Sequence, residues 1–226
     1  MTEKVFRDVL RQTFLRHDFL LTSVQQEQFI TYWSELKRWN SQINLTAIRS
    51  DHDIIVKHFL DSWSVLHHFT IGETDVVIDI GTGAGFPGIP LKIYLPDIQL
   101  TLVESSSKKA SFLRFLISRL NVNARVIAQR AEECARHPEH IEAYDWVLTR
   151  YVASLANSAS YCLPLLKSNG TWIAYKSCDV EAEIQAATSQ LQSYKGKVQS
   201  IFESRIAELN RTYLAILSID DKLSIS

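Results

Sequence analysis

The strand-like run VVIDI (76–80) and the turn after it, Gly81-Thr82-Gly83-Ala84-Gly85-Phe86-Pro87-Gly88, decide how the rest of the chain is read. A short β-branched run predicts a strand buried in a parallel sheet. Four of the chain's seven glycines fall in the eight residues that follow. Glycine is otherwise scarce, at about 3% of the chain against a usual level of about 7%. Such a cluster at a strand's carboxyl end predicts a turn whose backbone approaches a ligand closely. A helix should follow: Pro87 and Pro90 suit a first turn, where a missing N–H costs little. The start of that helix favours an anion or carboxylate.

The spacing narrows the ligand. A dinucleotide fingerprint, G-x-G-x-x-G, begins directly after its strand. Counted from Gly81 its third glycine would be Phe86, so it fails; counted from Gly83 it fits only three residues late and with Pro87 inside. No Lys-Ser/Thr pair follows, which excludes a P-loop. Asp79-x-Gly81-x-Gly83-x-Gly85 instead has the D-x-G-x-G-x-G pattern of class I methyltransferases that use S-adenosyl-L-methionine.

Outward from this turn, LTLVE (100–104), ARVIA (124–128), DWVLT (145–149) and TWIAYK (171–176) read as further buried strands. Helical stretches separate them, at about 88–94, 107–119, 131–137, 153–166 and 180–193. The alternation predicts right-handed β-α-β units in an open, doubly wound, mostly parallel sheet. KVQSIFES (197–204) and RTYLAILSI (211–219) add a final antiparallel pair. Residues 1–70 read as helices alone: Val5, Phe6, Val9, Leu10 and Phe14 recur at helical spacing, and Phe29, Ile30, Trp33 and Leu36 form a second stripe. The second helix should start near Ser23, with Gln26 completing a capping box. A third, about 51–68, carries Ile55, Phe59, Ser62 and Leu66 on one face. The expected architecture is a Rossmann-like α/β methyltransferase domain over 71–226, with a helical N-terminal cap over 1–70 on the substrate side.

Composition excludes several classes. Apolar residues make up 46% and charged residues 22% of the 226, as in globular proteins rather than disordered chains. A net charge of −1 speaks against a general nucleic-acid binder, so any such contact must be local. The absence of an 18-residue apolar run and of a signal-peptide core points to a cytoplasmic protein. Cys134, Cys162 and Cys178 stand far apart and read as buried hydrophobes, not as metal ligands or disulfides. Trp33, Trp39 and Trp63 read as helix-packing core.

Glu104 ends the second strand, 19 residues beyond Gly85. A carboxylate there can accept hydrogen bonds from both ribose hydroxyls, or it is a solvated surface acid. The third strand leads to Arg130-Ala131-Glu132, the region that usually flanks adenine, and the fourth to Arg150. All these points fall at the carboxyl edge, where open α/β sheets bind ligands. After the fourth strand the sequence reads Thr149-Arg150-Tyr151-Val152, without the Asn/Asp-Pro-Pro-aromatic motif of amino-group methylation. No motif makes Cys134 a nucleophile for C5 chemistry. What remains is an acceptor already nucleophilic, such as a ring nitrogen or a small-molecule heteroatom. Its methylation needs positioning and desolvation rather than a general base.

These segments resemble the glucose-inhibited division protein B family, bacterial 16S ribosomal RNA guanine-N7 methyltransferases. Beside DIGTGAGFPGIPL (79–91), the matching residues are Trp39-Asn40, Asn44-Leu45-Thr46-Ala47-Ile48, His58, Asp61-Ser62, LVESSSKKASFL (102–113), Arg130-Ala131-Glu132 and Arg150 with Val152-Ala153-Ser154-Leu155. Lys176 and Arg211 extend the match. The resemblance implies cofactor contacts at Gly81, Phe86, Ala131, Glu132 and Arg150, with Glu104 near the ribose. It places Asn44, His58, Asp61, Lys176 and Arg211 near the substrate mouth, with Asn44, His58 and Lys176 as catalytic candidates. Two departures stand out: Tyr151 where a small alanine is usual, and Ser177-Cys178 where glycine is usual. The alternatives are a small-molecule methyltransferase, a nicotinamide oxidoreductase from the offset Gly83–Gly88 match, and an RNA-binding module with a vestigial pocket.

For RNA, residues 105–130 hold Lys108, Lys109, Arg114, Arg119, Arg125 and Arg130 and no acid, a local field of about +6. Lys108 and Lys109 are the leading phosphate contacts among them. Asn44 either reads a base edge or caps the turn after the second helix. His58 is either a substrate contact or a partly buried, hydrogen-bonded histidine, which Asp61 could orient from the same helix face. The acceptor guanine has two stacking candidates, Phe86 and Tyr151. Nothing demands an oligomer, so a monomer acting on 16S RNA or on the small-subunit particle is expected.

Overall fold

A computed structural model describes residues 1–177 and 180–218. Cys178 and the last residue of the expected strand 211–219 lie outside the described residues. The N-terminal helices are α1 (Glu3–Arg16) and α2 (Ser23–Asn40). A continuous helical segment follows, made of α3 (Asp51–Ile54), a π-helical stretch (Ile55–Leu60) and α4 (Asp61–Ser64). Then come β1 (Val76–Ile80), α5 (Gly88–Tyr94), β2 (Gln99–Val103), α6 (Ser107–Leu120), β3 (Ala124–Ile127), α7 (Ala131–Cys134) and β4 (Tyr144–Arg150). The described residues end with α8 (Leu155–Cys162), β5 (Leu166–Ser177), α9 (Glu181–Ser193), β6 (Gly196–Glu203) and β7 (Arg211–Ser218).

The strands form one sheet in the order β3-β2-β1-β4-β5-β7-β6. Strands β1 to β5 pair in parallel, and β7 inserts antiparallel between β5 and β6. The order reverses between β1 and β4, which puts the binding crevice at their carboxyl ends. Antiparallel pairing brings the start of β7 to the same edge: Arg150 is level with Tyr175, and Tyr175 with Tyr213.

Alternation along the strands divides the core. Val77, Leu100, Leu102, Leu148 and Ile173 face α5, α6 and the N-terminal helices, while Ile78, Ile80, Val147, Trp172 and Ala174 face the side of α8 and α9. Residues 1–70 therefore share a core with the sheet. Trp63 sits at its centre, fully buried, edge-on to Phe14 at 4.8 Å and to Phe29 at 5.4 Å. Trp33 stacks on Phe6 at 4.3 Å, and Trp39 packs on Phe112. Cys134 and Cys162 are buried, and burial pushes the Cys134 thiol up to about 11.

Two local expectations shift. The second helix is capped by Thr22 rather than Ser23: its hydroxyl accepts from the Gln25 N–H, and the Gln25 side chain accepts from the Thr22 N–H. The capping box thus lies one residue earlier. Val5 is exposed rather than part of the core stripe, because α1 turns Phe6, Leu10, Thr13 and Phe14 inward, with Val9 packed at the edge. Among the described residues no helix is long and apolar enough to cross a membrane.

Candidate active site

The glycine turn leaves β1 at the switch point, and its glycines answer to different constraints. Gly85 (φ +101°) is crowded: a Cβ there would lie 2.6 Å from Ile89 Cδ1 and 2.7 Å from Tyr32 Oη. Gly83 (φ +62°) faces open space, the nearest atom to such a Cβ being the Gly81 carbonyl oxygen at 3.9 Å. Gly85 is thus required by packing, whereas Gly83 lets the backbone be approached from outside.

Asp79 braces the turn from beneath. It is fully buried, and its Oδ2 accepts from Thr82 Oγ1 at 2.6 Å and the Gly88 N–H at 2.8 Å. Burial pushes its carboxyl up to about 7, and Oδ1 has no partner among the described residues. The expected direct cofactor contact at Asp79 is therefore corrected to a support, since a fully buried carboxylate held by the loop cannot also touch a ligand in the crevice.

Glu104 is no solvated surface acid. It is 7% exposed and accepts from the N–H groups of Gly83 at 3.0 Å and Ser106 at 2.8 Å. Each oxygen keeps acceptor capacity for a hydroxyl beside the turn. A cavity of about 190 Å³ opens along this edge, lined by Gly81, Ser105, Gln129, Ala131, Glu132, Val152, Ala153 and others. Ala131 and Glu132 thus line this cavity. Gln129 and Tyr161 were not singled out: Tyr161 enters from α8, and no motif marks it. A larger cavity, about 400 Å³, opens at the opposite edge. There the Lys92 ammonium is spent on the carbonyls of Pro96 and Ile98, and Arg125 on Glu139, so among the described residues no free lysine or arginine lines it to hold a nucleotide.

Beside the first cavity, Arg150 turns towards the N-terminal helices. Its Nη1 donates to Asp61 Oδ2 at 2.7 Å and its Nη2 to His58 Nδ1 at 3.2 Å. Arg211, from β7, donates through Nε and Nη2 to both oxygens of the same carboxylate, each at 3.0 Å. Burial alone would lower the Arg211 guanidinium, but Asp61 holds it above its ordinary value. Asp61 is fully buried, and Arg150 and Arg211 are 7% and 4% exposed. The direct RNA contact expected of Asp61 is therefore corrected: it orients two arginines from below. Arg150 is likewise placed in this cluster, its Cζ 5.1 Å over the Phe86 ring, and not on the wall of the cavity. Two guanidinium charges against one carboxylate leave one positive charge in excess.

His58 lies in the π-helical stretch, buried. A guanidinium only donates, so Nδ1 must accept and Nε2 must carry the hydrogen, which it gives to Thr46 Oγ1 at 2.8 Å. Burial first, and Arg150 second, bring its pKa down to about 3. A histidine neutral across the physiological range and hydrogen-bonded through both nitrogens is not a general acid or base. Its catalytic role is corrected to positioning: Arg150 links its ring to the Asp61 carboxylate, and its carbonyl accepts from the Asp61 N–H. Phe86, 4% exposed, stacks on His58 at 4.3 Å and on Tyr32 at 5.1 Å, so its ring is spent on packing.

Tyr151 is 74% exposed, with φ +54°. Its hydroxyl accepts from Arg211 Nη2 at 2.6 Å, and the Arg211 Cζ lies 4.6 Å from the ring centre. Between Phe86 and Tyr151, only Tyr151 offers a free face. Lys176 is paired with Glu183 at 2.7 Å and donates to the Ala153 carbonyl at 3.3 Å. Glu183 also accepts from the Leu155 N–H at 2.8 Å. Sequence reasoning missed Glu183, which has no motif and meets Lys176 only once α9 folds back. Asn44 is exposed on the loop after α2. The turn cap is Asn40, whose side chain binds the N–H groups of Leu45 and Thr46 and the Thr46 carbonyl. Lys108 is exposed at the first turn of α6, and Lys109 is half-buried. The +6 field shrinks, because Arg119 pairs with Glu35 and Arg125 with Glu139.

Comparison with known proteins shows the family and the fold. The family model described as rRNA small subunit methyltransferase G matches residues 25–211. The chain is 38% identical over 208 residues to a ribosomal RNA small subunit methyltransferase G of Clostridium novyi (strain NT), covering 92% of this chain and 86% of that one. It is 42% identical over 192 residues to the protein of that name from Roseiflexus sp. (strain RS-1), covering 84% and 82%. Among solved structures, M. jannaschii TYW2 in complex with AdoMet is similar in fold (TM-score 0.54, 17% identity, 71% of this chain and 74% of that chain). So is geranyl diphosphate C-methyltransferase from Streptomyces coelicolor A3(2) (TM-score 0.55, 12% identity, 83% and 98%). The match runs from α2 through the glycine turn, the Asp61 cluster and Arg211, and the chain belongs to the rRNA small subunit methyltransferase G family.

Proposed function

We propose that this protein transfers the methyl group of S-adenosyl-L-methionine to N7 of a guanine in 16S ribosomal RNA. It acts as a cytoplasmic monomer on the RNA or on the small-subunit particle. The observation that carries the reading is one short segment, 150–153. It joins the cavity beside the glycine turn, through Val152 and Ala153, to the arginine cluster and the exposed Tyr151 ring.

The residues fit the cofactor. Gly83 leaves room for close approach, and the Glu104 carboxylate suits two vicinal hydroxyls. Gly81, Ala131 and Glu132 border a cavity open to solvent. When bound there, S-adenosyl-L-methionine supplies a methyl group activated by its sulfonium. Guanine N7 has a free lone pair and no proton, so the chain need not supply a base; the neutral, doubly bonded His58 is consistent with that. The protein holds the acceptor in line and excludes water. Lys176 and Glu183 fix the 153–155 segment bordering the cavity. Thr46, through His58, ties the loop carrying Asn44 to Arg150, which supports a role for the exposed Asn44 at the acceptor mouth. Lys108 and Lys109 meet RNA phosphates. The direct RNA contact expected of Arg211 is corrected, because it is buried and its donors go to Asp61, the Lys176 carbonyl and the Tyr151 hydroxyl, so it acts by holding Tyr151.

The test uses small subunits from cells lacking this protein, incubated with it and labelled cofactor. Label at guanine N7 of 16S RNA is expected. Label on another atom or on small molecules alone, or none in any assembly state of the subunit, overturns the reading.

A further inference from the structure

Tyr151 combines three features not shared by the other aromatic residues described above. It is an aromatic side chain 74% exposed beside a binding cavity. Its backbone is held at φ +54°, a left-handed conformation that a bulky residue adopts only where its surroundings impose it. Its ring is backed by cations: Arg211 Cζ at 4.6 Å and Arg150 Cζ at 5.9 Å from the centre. The Arg211–hydroxyl bond at 2.6 Å fixes the ring orientation. Both guanidiniums are anchored below by the buried Asp61 carboxylate, so they cannot swing away. With the exposure that remains, the other face of the ring is open.

We propose that the open face of Tyr151 is the platform on which the acceptor guanine stacks, and that the guanidiniums behind it make the platform selective for neutral guanine over its N7-methylated product. This rests on the guanine-N7 reading above. In the transfer, the N7 lone pair forms the new N–C bond while the C–S bond breaks and sulfur keeps its electron pair. The positive charge therefore moves from sulfur to the guanine ring. Neutral guanine stacks well on a ring whose electron density is drawn towards cations on its far face. A cationic base gains less from such a ring, because the quadrupole that attracts cations is already engaged. The excess positive charge of the Asp61 cluster adds direct repulsion. The same group that holds the substrate base thus weakens its grip once the methyl has arrived, which favours product release.

The test compares wild type, Tyr151→Ala and Tyr151→Phe on small subunits lacking the methyl group. Because Tyr151 is a surface residue, neither variant should disturb folding, and S-adenosylhomocysteine affinity should stay within about twofold. Tyr151→Ala should lower kcat/KM by about 10- to 100-fold, mainly through KM, and Tyr151→Phe by no more than about threefold. In the presence of S-adenosylhomocysteine, wild type should bind unmethylated subunits about fivefold tighter than methylated ones, and Tyr151→Ala should lose that difference. Unchanged kcat/KM in Tyr151→Ala, or equal or tighter wild-type binding of methylated subunits, overturns this inference. If wild type itself places no label on guanine N7, the parent reading falls instead.

Discussion

Asp61→Ala tests the cluster that organises the acceptor side. It removes a fully buried carboxylate that accepts three charged hydrogen bonds, at 2.7 Å from Arg150 and at 3.0 Å twice from Arg211. Removing one partner of a buried ion pair costs about 3–5 kcal/mol, because the remaining charge stays desolvated. Here two guanidiniums are left, but each keeps neutral acceptors: Arg150 the Lys57 carbonyl and His58, Arg211 the Lys176 carbonyl and the Tyr151 hydroxyl. The expected loss is therefore about 4 kcal/mol, and for a domain of this size about 8–16 °C in Tm. Urea unfolding read by tryptophan fluorescence reports it, since Trp63 lies in the same core. Coincident circular-dichroism transitions would license the two-state treatment. Arg211→Met in the Asp61→Ala background should cost less than the sum of the single changes by at least about 1 kcal/mol. A loss below about 1 kcal/mol for Asp61→Ala, or strict additivity in the double variant, would refute the view that Asp61 holds both arginines.

Other outcomes follow from the same geometry. Gly85→Ala drives a Cβ to 2.6 Å from Ile89 and 2.7 Å from Tyr32 and should cost about 2–4 kcal/mol in denaturant unfolding. Gly83→Ala meets no atom closer than 3.9 Å, so it should fold with only about 1 kcal/mol of backbone strain. It should nevertheless lose about tenfold or more in S-adenosylhomocysteine affinity by calorimetry; equal affinity would remove the turn from the site. Glu104→Gln should weaken that binding by about tenfold, and an unchanged titration would count against its ribose role. The pH dependence has two opposing parts. His58 is lowered to about 3 from 6.5, so its stabilisation is complete above pH 6.5 and is lost as pH falls towards 3. Asp79 is raised to about 7 from 3.8, so its contribution is complete below pH 3.8 and is lost as pH rises through 7. His58→Gln leaves only the second slope of the pair. Between about pH 4 and 6.5 the wild-type advantage over this variant should grow by about 3 kcal/mol, and a constant difference would show that His58 titrates normally.

The sequence by itself determined the sheet and the cofactor side. VVIDI and the central strands β2, β4 and β7 are mostly buried on both faces, so their composition marks them, whereas the edge strands β3 and β6 are partly exposed. The glycine turn and Glu104 directly follow strand ends, and Ala131-Glu132 follow β3 within a few residues. Such features are local: a positive φ or a carboxylate at a strand's carboxyl end is specified by its immediate neighbours. The acceptor side was only partly legible. Resemblance placed Asp61, His58 and Arg211 near the substrate mouth and Arg150 at the cofactor, but only the tertiary structure showed that Asp61 is buried beneath two arginines from β4 and β7. The same packing silenced His58, turned Phe86 into core and left Tyr151 as the open ring. It also drew Glu35 and Glu139 beside a stretch that reads as wholly basic in sequence. The physical reason is that charge and burial are set by neighbours in space. A neutral histidine, a shared carboxylate and a cation-backed aromatic ring exist only once distant segments meet at one edge of the sheet.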